Sequence, residues 1–325
     1  MPRVLVTGAG GFIGAALAHR LVARGDETLL LGGPETDCWR LEDLRADAQV
    51  AAIDLCDAEA VDAVVGGFRP ELMLHLAAHG AYSWQTSLER MVATNLVGLT
   101  HLADAAARYD VRALVNAGSS SEYGWKDHAP PESELPEPNS AYAFTKAAAT
   151  LYCGWSARER GQALTTLRLY SVYGPWEEPR RLIPALVLNG MQRRLPPLVD
   201  PRVARDFVHV EDVIDAFLLA ADVAVPGEGA VYNIGTGRQT TLGELAEIAR
   251  TVFDIPAEPV WGDYPARSWD TDVWVADAGL ASERLGWRPR WSLADGLAAM
   301  ASWFHERPGL LPRYGDPAVE APTRP

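Results

Sequence analysis

The chain has 325 residues, of which 48% are hydrophobic, and a formal net charge of −14 from 43 acidic against 29 Lys and Arg residues. This hydrophobic content is enough for a sizeable core and excludes a disordered chain. The acidic balance excludes nucleic acid and anionic membranes as expected partners, because both favour basic patches. An anionic substrate would therefore have to be held by a few local arginines.

The three cysteines, Cys38, Cys56 and Cys153, are widely spaced. They form neither a metal-ligand pattern nor an even-numbered disulfide framework, so we expect no metal site and a reducing, cytoplasmic environment. Glycines interrupt the apolar run at the N-terminus, so we do not expect a signal peptide. No apolar segment has the length that a bilayer requires.

Residues 4–14 carry the first motif, a short aliphatic run followed by glycines spaced three apart. The run predicts a strand, and the apolar periodicity of residues 15–23 predicts a helix. Glycines permit a tight turn between them and the close approach of a pyrophosphate. The helix N-terminus then presents free N–H groups and a positive dipole end to that phosphate. The dinucleotide-binding residues expected here are Gly8, Gly11, Phe12, Ile13 and Gly14.

The second predicted strand, residues 27–31, is followed by Gly32 instead of the Asp or Glu that a NAD-specific site uses to bind the ribose hydroxyls. Because a carboxylate there would repel a 2′-phosphate, its absence favours NADP(H), with NAD(H) as the alternative. Arg40 follows and would supply a positive partner for that phosphate. The alternative for Arg40 is a solvated helix residue.

Two further strands are predicted, at residues 50–53 and 72–78. The first leads into Asp54 and Leu55, where the carboxylate would accept from an adenine amino group, cap the next helix, or do both. The second is a continuous apolar run, as a buried parallel strand requires. Its small end, Ala77 and Ala78, would let a dinucleotide lie close to the sheet.

A helix is predicted from Thr94 and Asn95 to Tyr109, and a strand from Val111 to Ala117 runs into three serines. This alternation of strands and helices predicts an α/β fold, namely a Rossmann-type, doubly wound parallel sheet.

Tyr142 and Lys146 lie four residues apart on a helix predicted for residues 141–158, and such residues share one helix face. A phenol beside an ammonium group and a nicotinamide cation has a lowered pKa. It can then exchange a proton with an alcohol or a carbonyl near neutral pH. Ser119 follows a strand, at the edge where open α/β sheets bind ligands, and would orient the same oxygen. The alternative for the Tyr–Lys match is an ordinary surface pair.

The order of these motifs resembles the extended short-chain dehydrogenase/reductase family, in particular its NAD(P)-dependent nucleotide-sugar epimerase/dehydratase group, over nearly the whole chain. By that resemblance, Ser119, Tyr142 and Lys146 form the catalytic triad. Tyr142 would be the acid/base, and Lys146 would also hold the cofactor ribose. The resemblance implies a nucleotide-diphosphate sugar as substrate.

The same resemblance assigns supporting roles. Asn95 would support the cofactor site, and Ser120 and Ser121 would lie with the substrate. The helices predicted for residues 95–109 and 141–158 would form a four-helix bundle with their mates in a homodimer.

Beyond residue 160, a strand is predicted at residues 164–169, and the chain then resembles the family's substrate domain. Arg181, Arg205 and Arg267 fall in motifs that imply substrate contacts. Arg205 would bind the diphosphate or the ribose of the nucleotide, and Arg267 would be a second ligand of the diphosphate. Arginine suits this role, because its planar fork binds phosphate oxygens in pairs. As isolated residues, Arg205 and Arg267 would be surface ion-pair members.

The domain boundaries follow from the same comparison of motifs. Residues 1–170 would form the NAD(P)-binding domain, with segments near 205–222 and 230–236 returning to it. A smaller, interleaved substrate domain would occupy mainly residues 171–307. The proline-rich residues 308–325 would form an irregular tail.

Three local features bear on the reaction. A 4,6-dehydratase of the usual type has an acid pair directly after the Ser or Thr of the triad, whereas Ser120 and Ser121 occupy those positions here. Glu122 comes only afterwards and would have to shift into place. The serine run ending in Glu122 resembles that of 4-ketosugar reductases, and Gly32 removes the NAD-selecting carboxylate.

These features predict NADPH-dependent reduction of an NDP-4-keto-6-deoxyhexose. The alternative is an NDP-hexose 4-epimerase with tightly bound NAD. A 4,6-dehydratase and a non-catalytic cofactor sensor fit the sequence less well.

Overall fold

The computed structural model describes residues 2–262 and 271–315. Strands run throughout this part of the chain. They are β1 Arg3–Thr7, β2 Glu27–Gly32, β3 Gln49–Ala52, β4 Leu72–His75, β5 Ala113–Ser119, β6 Leu164–Leu169, β7 Ser171–Tyr173, β8 Ala204–Arg205, β9 Phe207–His209, β10 Val231–Ile234 and β11 Thr240–Thr241.

Helices alternate with these strands. They are α1 Phe12–Ala23, α2 Ala58–Phe68, α3 Leu88–Val92, α4 Gly98–Arg108, α5 Ala141–Arg160, α6 Leu182–Gly190, α7 Val210–Val223, α8 Leu242–Phe253, α9 Gly279–Arg284, α10 Leu293–Glu306 and α11 Leu311–Tyr314. Short 3₁₀ turns form at Trp39–Leu44, Ser120–Tyr123 and Pro308–Leu310, and a π-helical turn at Ala93–Val97 joins α3 to α4.

The central sheet has seven strands in the order β10-β6-β5-β4-β1-β2-β3. Every neighbouring pair in it is parallel. The Rossmann-type, doubly wound fold is therefore confirmed. The strand order reverses between β1 and β4, and the crevice outside the carboxyl ends of these strands is where such sheets bind ligands.

Both faces of the sheet are covered, which explains the continuous apolar strands. Successive side chains of β1 point to opposite faces. Val4 and Val6 pack with the helix pair α1 and α7, whereas Leu5 packs with α2, α4 and α5. All three side chains are fully buried. The two helix layers thus hold the glycine turn that follows β1 in one position.

Several element boundaries differ from the predictions, three of them at helices or turns near the two ends of the chain and before the π-helical turn. Helix α1 begins at Phe12, three residues before the periodic run. The helix predicted from Thr94 begins instead at Leu88, because the Ser87 hydroxyl accepts the Arg90 N–H at 3.2 Å and caps it there. Residues 308–314, predicted to be irregular, form a 3₁₀ turn and α11.

The last of these differences has a packing cause. Tyr314 is buried and its ring meets Phe304 edge-on, with the centroids 4.9 Å apart. A buried aromatic side chain of this size gives enough apolar contact to order a short segment. Within residues 2–262 and 271–315, no helix has both the length and the apolarity needed to cross a membrane.

Candidate active site

The glycine turn after β1 is a backbone cradle. Gly8 has φ +68°, and a Cβ atom there would lie 2.5 Å from the backbone nitrogen of Ala77 on the neighbouring strand end. A Cβ atom at Gly14 would lie 2.2 Å from the Gly8 carbonyl oxygen. Only glycine fits either position. The turn keeps its backbone open to a pyrophosphate, so these residues fit a dinucleotide cofactor.

Two predicted cofactor residues, Phe12 and Ile13, lie in the first turn of α1. Gly11 precedes this helix with extended backbone and without a side-chain cap among the described contacts. The N–H groups of the first turn have no partner within a helix. They are the donors that a helix N-terminus offers to an anion.

Arg40 is buried beside the glycine turn. It is only 6% exposed, so it is not a solvated helix residue. Its Nε donates to the Trp176 carbonyl at 2.8 Å and a terminal nitrogen donates to the Gly10 carbonyl at 3.3 Å. The guanidinium also pairs with Glu178 at 3.5 Å. A guanidinium already engaged behind the turn argues against the predicted contact with a 2′-phosphate.

The end of β2 has a feature that the sequence did not indicate. A Cβ atom at Gly32 would lie 2.8 Å from the Cys38 sulfur. The sulfur therefore fills the space into which a carboxylate at this position would project. No spacing or periodicity relates Cys38 to Gly32, so only the folded loop reveals this contact.

The ends of β3 and β4 place the next predicted cofactor residues. Asp54 is exposed and accepts the Cys56 N–H at 2.9 Å. It does not cap α2; the side chain of Asp57 does so. Leu55 is buried. Ala77 backs directly on Gly8, as described above, and Ala78 is exposed at the sheet edge.

The Asn95 side chain is buried and hydrogen-bonded to two other parts of the chain. Its side-chain oxygen accepts the His79 N–H at 2.7 Å, while its amide group donates to the His79 carbonyl and to the Thr145 hydroxyl, both at 2.9 Å. These bonds tie the loop after β4 to helix α5. Asn95 therefore supports the site through its neighbours, from the middle of a helix instead of its start.

The predicted triad comes together at the carboxyl end of β5. Ser119 is the last residue of β5, and Tyr142 lies in the first turn of α5, which the Ser140 hydroxyl caps. Lys146 follows one turn later and is 3% exposed. Ser119 and Ser121 share a hydrogen bond of 2.7 Å between their hydroxyls.

Burial dominates the protonation of these groups. It raises the pKa of Tyr142 to about 12, while the nearby Ser119 hydroxyl and the charge of Arg181 act to lower it. Burial also lowers the pKa of Lys146, an effect that the charge of Glu122 opposes. In the protein alone, Tyr142 is consequently a neutral phenol at pH 7.

Glu122 has not shifted toward the substrate side. It is fully buried and forms an ion pair with Arg168 of β6 at 2.9 Å. The other residues after Ser119 are Ser120, which is buried, and Ser121, which is half-buried. The acid pair of the usual dehydratase therefore has no counterpart at these positions.

The predicted substrate arginines have different settings. Arg181 is exposed at the start of α6 and lies over the Tyr82 ring, 5.5 Å from its centroid. The charge of Arg181 acts to lower the pKa of Tyr142. Arg205, on β8, donates to the Ala204 carbonyl and lies 5.6 Å from the Trp274 ring centroid. Arg267 lies outside the described residues.

Two residues near the site were missed by the sequence analysis. Tyr82 stacks on Trp84 at 4.7 Å between centroids and carries Arg181 over its ring. Arg168 holds Glu122, as described above. Neither belongs to a short motif, because Tyr82 meets Arg181 from a loop 99 positions away and Arg168 reaches its partner across the sheet.

The fold and the site together define an enzyme of the extended short-chain dehydrogenase/reductase class. A model of the NAD dependent epimerase/dehydratase family matches residues 4–235. The chain belongs to this family. The resemblance inferred from the motifs is thereby confirmed.

Three proteins illustrate the degree of sequence and structural similarity to this chain. UDP-glucose 4-epimerase of Mycolicibacterium smegmatis is 32% identical, over 94% of this chain and 99% of the relative. A dTDP-glucose 4,6-dehydratase of Streptomyces antibioticus is 30% identical, over 93% of this chain and 92% of the relative. The solved structure of MoeE5 in complex with UDP-glucose and NAD is 30% identical, with a TM-score of 0.80, over 94% of this chain and 99% of that one.

The geometry of the turn makes a direct prediction. Gly8→Ala would place a methyl group against the Ala77 backbone at a residue with positive φ, so we expect NAD binding to weaken by at least about tenfold and thermal stability to fall. Calorimetric titration and thermal unfolding measure both. Gly67→Ala is the control, because an added Cβ there has no atom within 4 Å. Equal NAD affinity in the two variants would contradict the proposed cradle.

Proposed function

We propose that the protein is a nucleotide-diphosphate-sugar 4-epimerase that keeps NAD bound throughout its cycle. The observation that carries this choice over the predicted reductase is the buried position of Arg40, whose guanidinium is bonded to two backbone carbonyls. Without Arg40, the sequence argument for NADP(H) loses its positive partner. The relatives named above include a 4-epimerase, and one structural neighbour contains NAD.

In this mechanism, the glycine turn would hold the diphosphate of NAD and Lys146 would hold its ribose. The cofactor would supply a hydride acceptor for the sugar C4 and later a hydride donor. Tyr142 removes the proton of the 4-hydroxyl and returns it to the opposite epimer. Ser119 donates a hydrogen bond to the same sugar oxygen. Arg181 and Arg205 bind the substrate, with Arg205 at the diphosphate, and Arg267 is proposed as a second diphosphate ligand.

The protonation state of Tyr142 connects the two halves of this cycle. A phenol with a pKa of about 12 is an acid and cannot accept a proton at pH 7. Positive charge from the oxidised cofactor lowers that pKa. Tyr142 thus becomes a base only when oxidised NAD is in place, which suits an enzyme that retains its cofactor.

A 4-ketosugar reductase using NADPH is the second candidate. It is favoured by Gly32, which leaves the end of β2 without the carboxylate that selects NAD. A neutral Tyr142 is also the acid that a reductase needs to protonate the new alkoxide. A 4,6-dehydratase is disfavoured, because Glu122 is held by Arg168.

The nucleotide that the protein carries distinguishes the two candidates. We expect near-stoichiometric NAD when the purified protein is denatured and the released nucleotides are identified by mass spectrometry, because an epimerase returns its hydride to the same sugar. A protein purified without dinucleotide that binds NADPH more tightly than NADH would replace the epimerase by the reductase.

The proposed acid/base role predicts that Tyr142→Phe abolishes turnover, by about 10²–10⁴-fold, and leaves the bound NAD unchanged. The loss follows from removing one hydroxyl from the reacting centre. Tyr152→Phe on the same helix is the matched control, and its turnover should be close to wild type. Unaltered turnover in Tyr142→Phe would rule out this role.

We also propose that the protein is a homodimer. Phe144, Leu151 and Trp155 are 52%, 66% and 48% exposed, and their spacing puts them on one face of α5. Val97, before α4, is 37% exposed. Large apolar groups concentrated on one helix face favour burial against a partner. A second copy would supply a matching pair of helices.

This proposal predicts that Leu151→Glu, which places a charge in the middle of the face, converts the dimer to a monomer. Sedimentation velocity at several protein concentrations measures the change. Leu135→Glu is the control, because Leu135 is 79% exposed and lies in a loop before α5. A wild-type protein that sediments as a monomer would exclude the dimer.

A further inference from the structure

Glu122 is the buried acid of the triad region to which the proposed reaction gives no role. It follows Ser119 by three residues in the 3₁₀ turn after β5. One carboxylate oxygen accepts the Ser119 N–H at 2.9 Å. The other accepts the Arg168 Nε–H at 2.9 Å. The carboxylate therefore connects the backbone of a catalytic residue to strand β6.

Arg168 extends this connection across the sheet. It also donates to the Tyr123 hydroxyl at 2.7 Å, and that hydroxyl donates to the side-chain oxygen of Asn233 on β10 at 2.8 Å. Glu122 and Asn233 are both fully buried, and Arg168 is 3% exposed. The Ser119 turn is thus fixed to two neighbouring strands through side chains that solvent does not reach.

The Glu122 carboxylate lies close to the backbone of Gly118. A Cβ atom at Gly118 would lie 2.9 Å from the Glu122 oxygen and 2.7 Å from the Thr166 methyl group. The absence of a side chain at Gly118 therefore admits the carboxylate beneath the strand end. Glu122 cannot swing toward the substrate without breaking its bonds to Arg168 and to the Ser119 N–H.

A gain in folding stability does not by itself explain a buried ion pair such as Glu122 with Arg168. The cost of removing two charges from water commonly offsets their attraction, and apolar side chains of similar volume often do as well. A buried carboxylate is, however, specific in direction and carries a charge where the local dielectric is low. Burial raises the pKa of Glu122, whereas the charge of Arg168 and the hydrogen bond from the Ser119 N–H oppose this rise and stabilise the carboxylate.

We propose that Glu122 is a positioning residue for Ser119, which it holds through its bonds to the Ser119 N–H and to Arg168. This inference rests on the proposed roles of the triad. The charged and titratable groups that face Glu122 come from three elements. They are Tyr123 on its own turn, Tyr142, Lys146 and Cys153 on α5, and Arg168 on β6.

The sign of the charge effect follows from the electrostatics. The charge of Glu122 raises the pKa of both Tyr142 and Lys146. It thus stabilises the neutral phenol and the ammonium group. Without it, Tyr142 would lose its proton at lower pH. The glutamate would then keep the tyrosine an acid until a cation enters the site.

Two substitutions separate the loss of charge from the loss of the bond to Ser119. Glu122→Gln keeps an oxygen for the Ser119 N–H, removes the charge and replaces the oxygen that accepts from Arg168 by an NH2 group, which cannot accept. Glu122→Met removes both oxygens and the charge. Asp212→Asn is the matched control, because Asp212 is a buried acid on α7 that accepts backbone N–H groups of Arg290 and Trp291. Each variant is measured with its bound nucleotide, by pH profiles of kcat/KM and by hydrogen exchange of residues 113–124.

One limb of the pH profile of kcat/KM reports the deprotonation of Tyr142. We expect Glu122→Gln to shift this limb to lower pH by about half a unit to one unit, and to leave hydrogen exchange as in the wild type. Glu122→Met should lower kcat by about 10²-fold, with less effect on KM, and speed exchange at the Ser119 turn. Asp212→Asn should lower the melting temperature and alter neither readout.

A wild-type pH limb in Glu122→Gln would overturn the charge role, and unaltered exchange in Glu122→Met would overturn the positioning role. If Glu122→Met does not fold, Ser119 positioning is tested by Glu122→Asp, whose side chain is one methylene shorter and no longer spans the Ser119 N–H and Arg168. Faster exchange confined to residues 113–124 with a lowered kcat supports the positioning role, and wild-type exchange or wild-type turnover overturns it. Absence of sugar-nucleotide turnover in the wild type would instead refute the proposed function, and the exchange measurements would still decide whether Glu122 orders the turn.

Discussion

The close approach of the glycine turn to the neighbouring strand end is the constraint on which the rest of the site depends. A single methyl group at Gly8 would lie 2.5 Å from the Ala77 backbone. Because β1 and β4 meet here, the loops after both strands begin from a common point. Asn95 then ties the loop after β4 to α5, which carries Tyr142 and Lys146. Backbone packing at one turn therefore helps to determine the position of Tyr142, the proposed acid/base group.

Burial is the second organising principle, since it controls the charges that the site can hold. It keeps Tyr142 neutral and weakens the proton affinity of Lys146. Glu122 is buried in an ion pair with Arg168, so its charge stays at a fixed position beside the neighbouring groups. In the proposed mechanism, the positive charge of oxidised NAD would lower the pKa of Tyr142, which would couple occupancy of the glycine turn to the reactivity of Tyr142.

Much of the fold could be predicted because its signals are local. The strand at residues 164–169 has the predicted bounds, since a continuous apolar run between breakers leaves little ambiguity. The start of the helix at Leu88 was missed, because its Ser87 cap precedes the apolar periodicity. The segment at residues 308–314 was missed for a different reason: Tyr314 is ordered by the distant ring of Phe304.

The sequence by itself determined the class of fold and the glycine turn, because both follow from spacing along a strand, a turn or a helix, and it pointed to the three residues proposed as the triad. Tertiary structure decided the roles of the charged residues whose partners are distant in the sequence. Arg40 is a cation in the sequence and a buried donor to two carbonyls in the fold. Glu122 is a possible acid in the sequence and the partner of Arg168, 46 residues away, in the fold. The physical reason is that a charged side chain takes its role from the groups that replace water around it, and those groups come from distant parts of the chain.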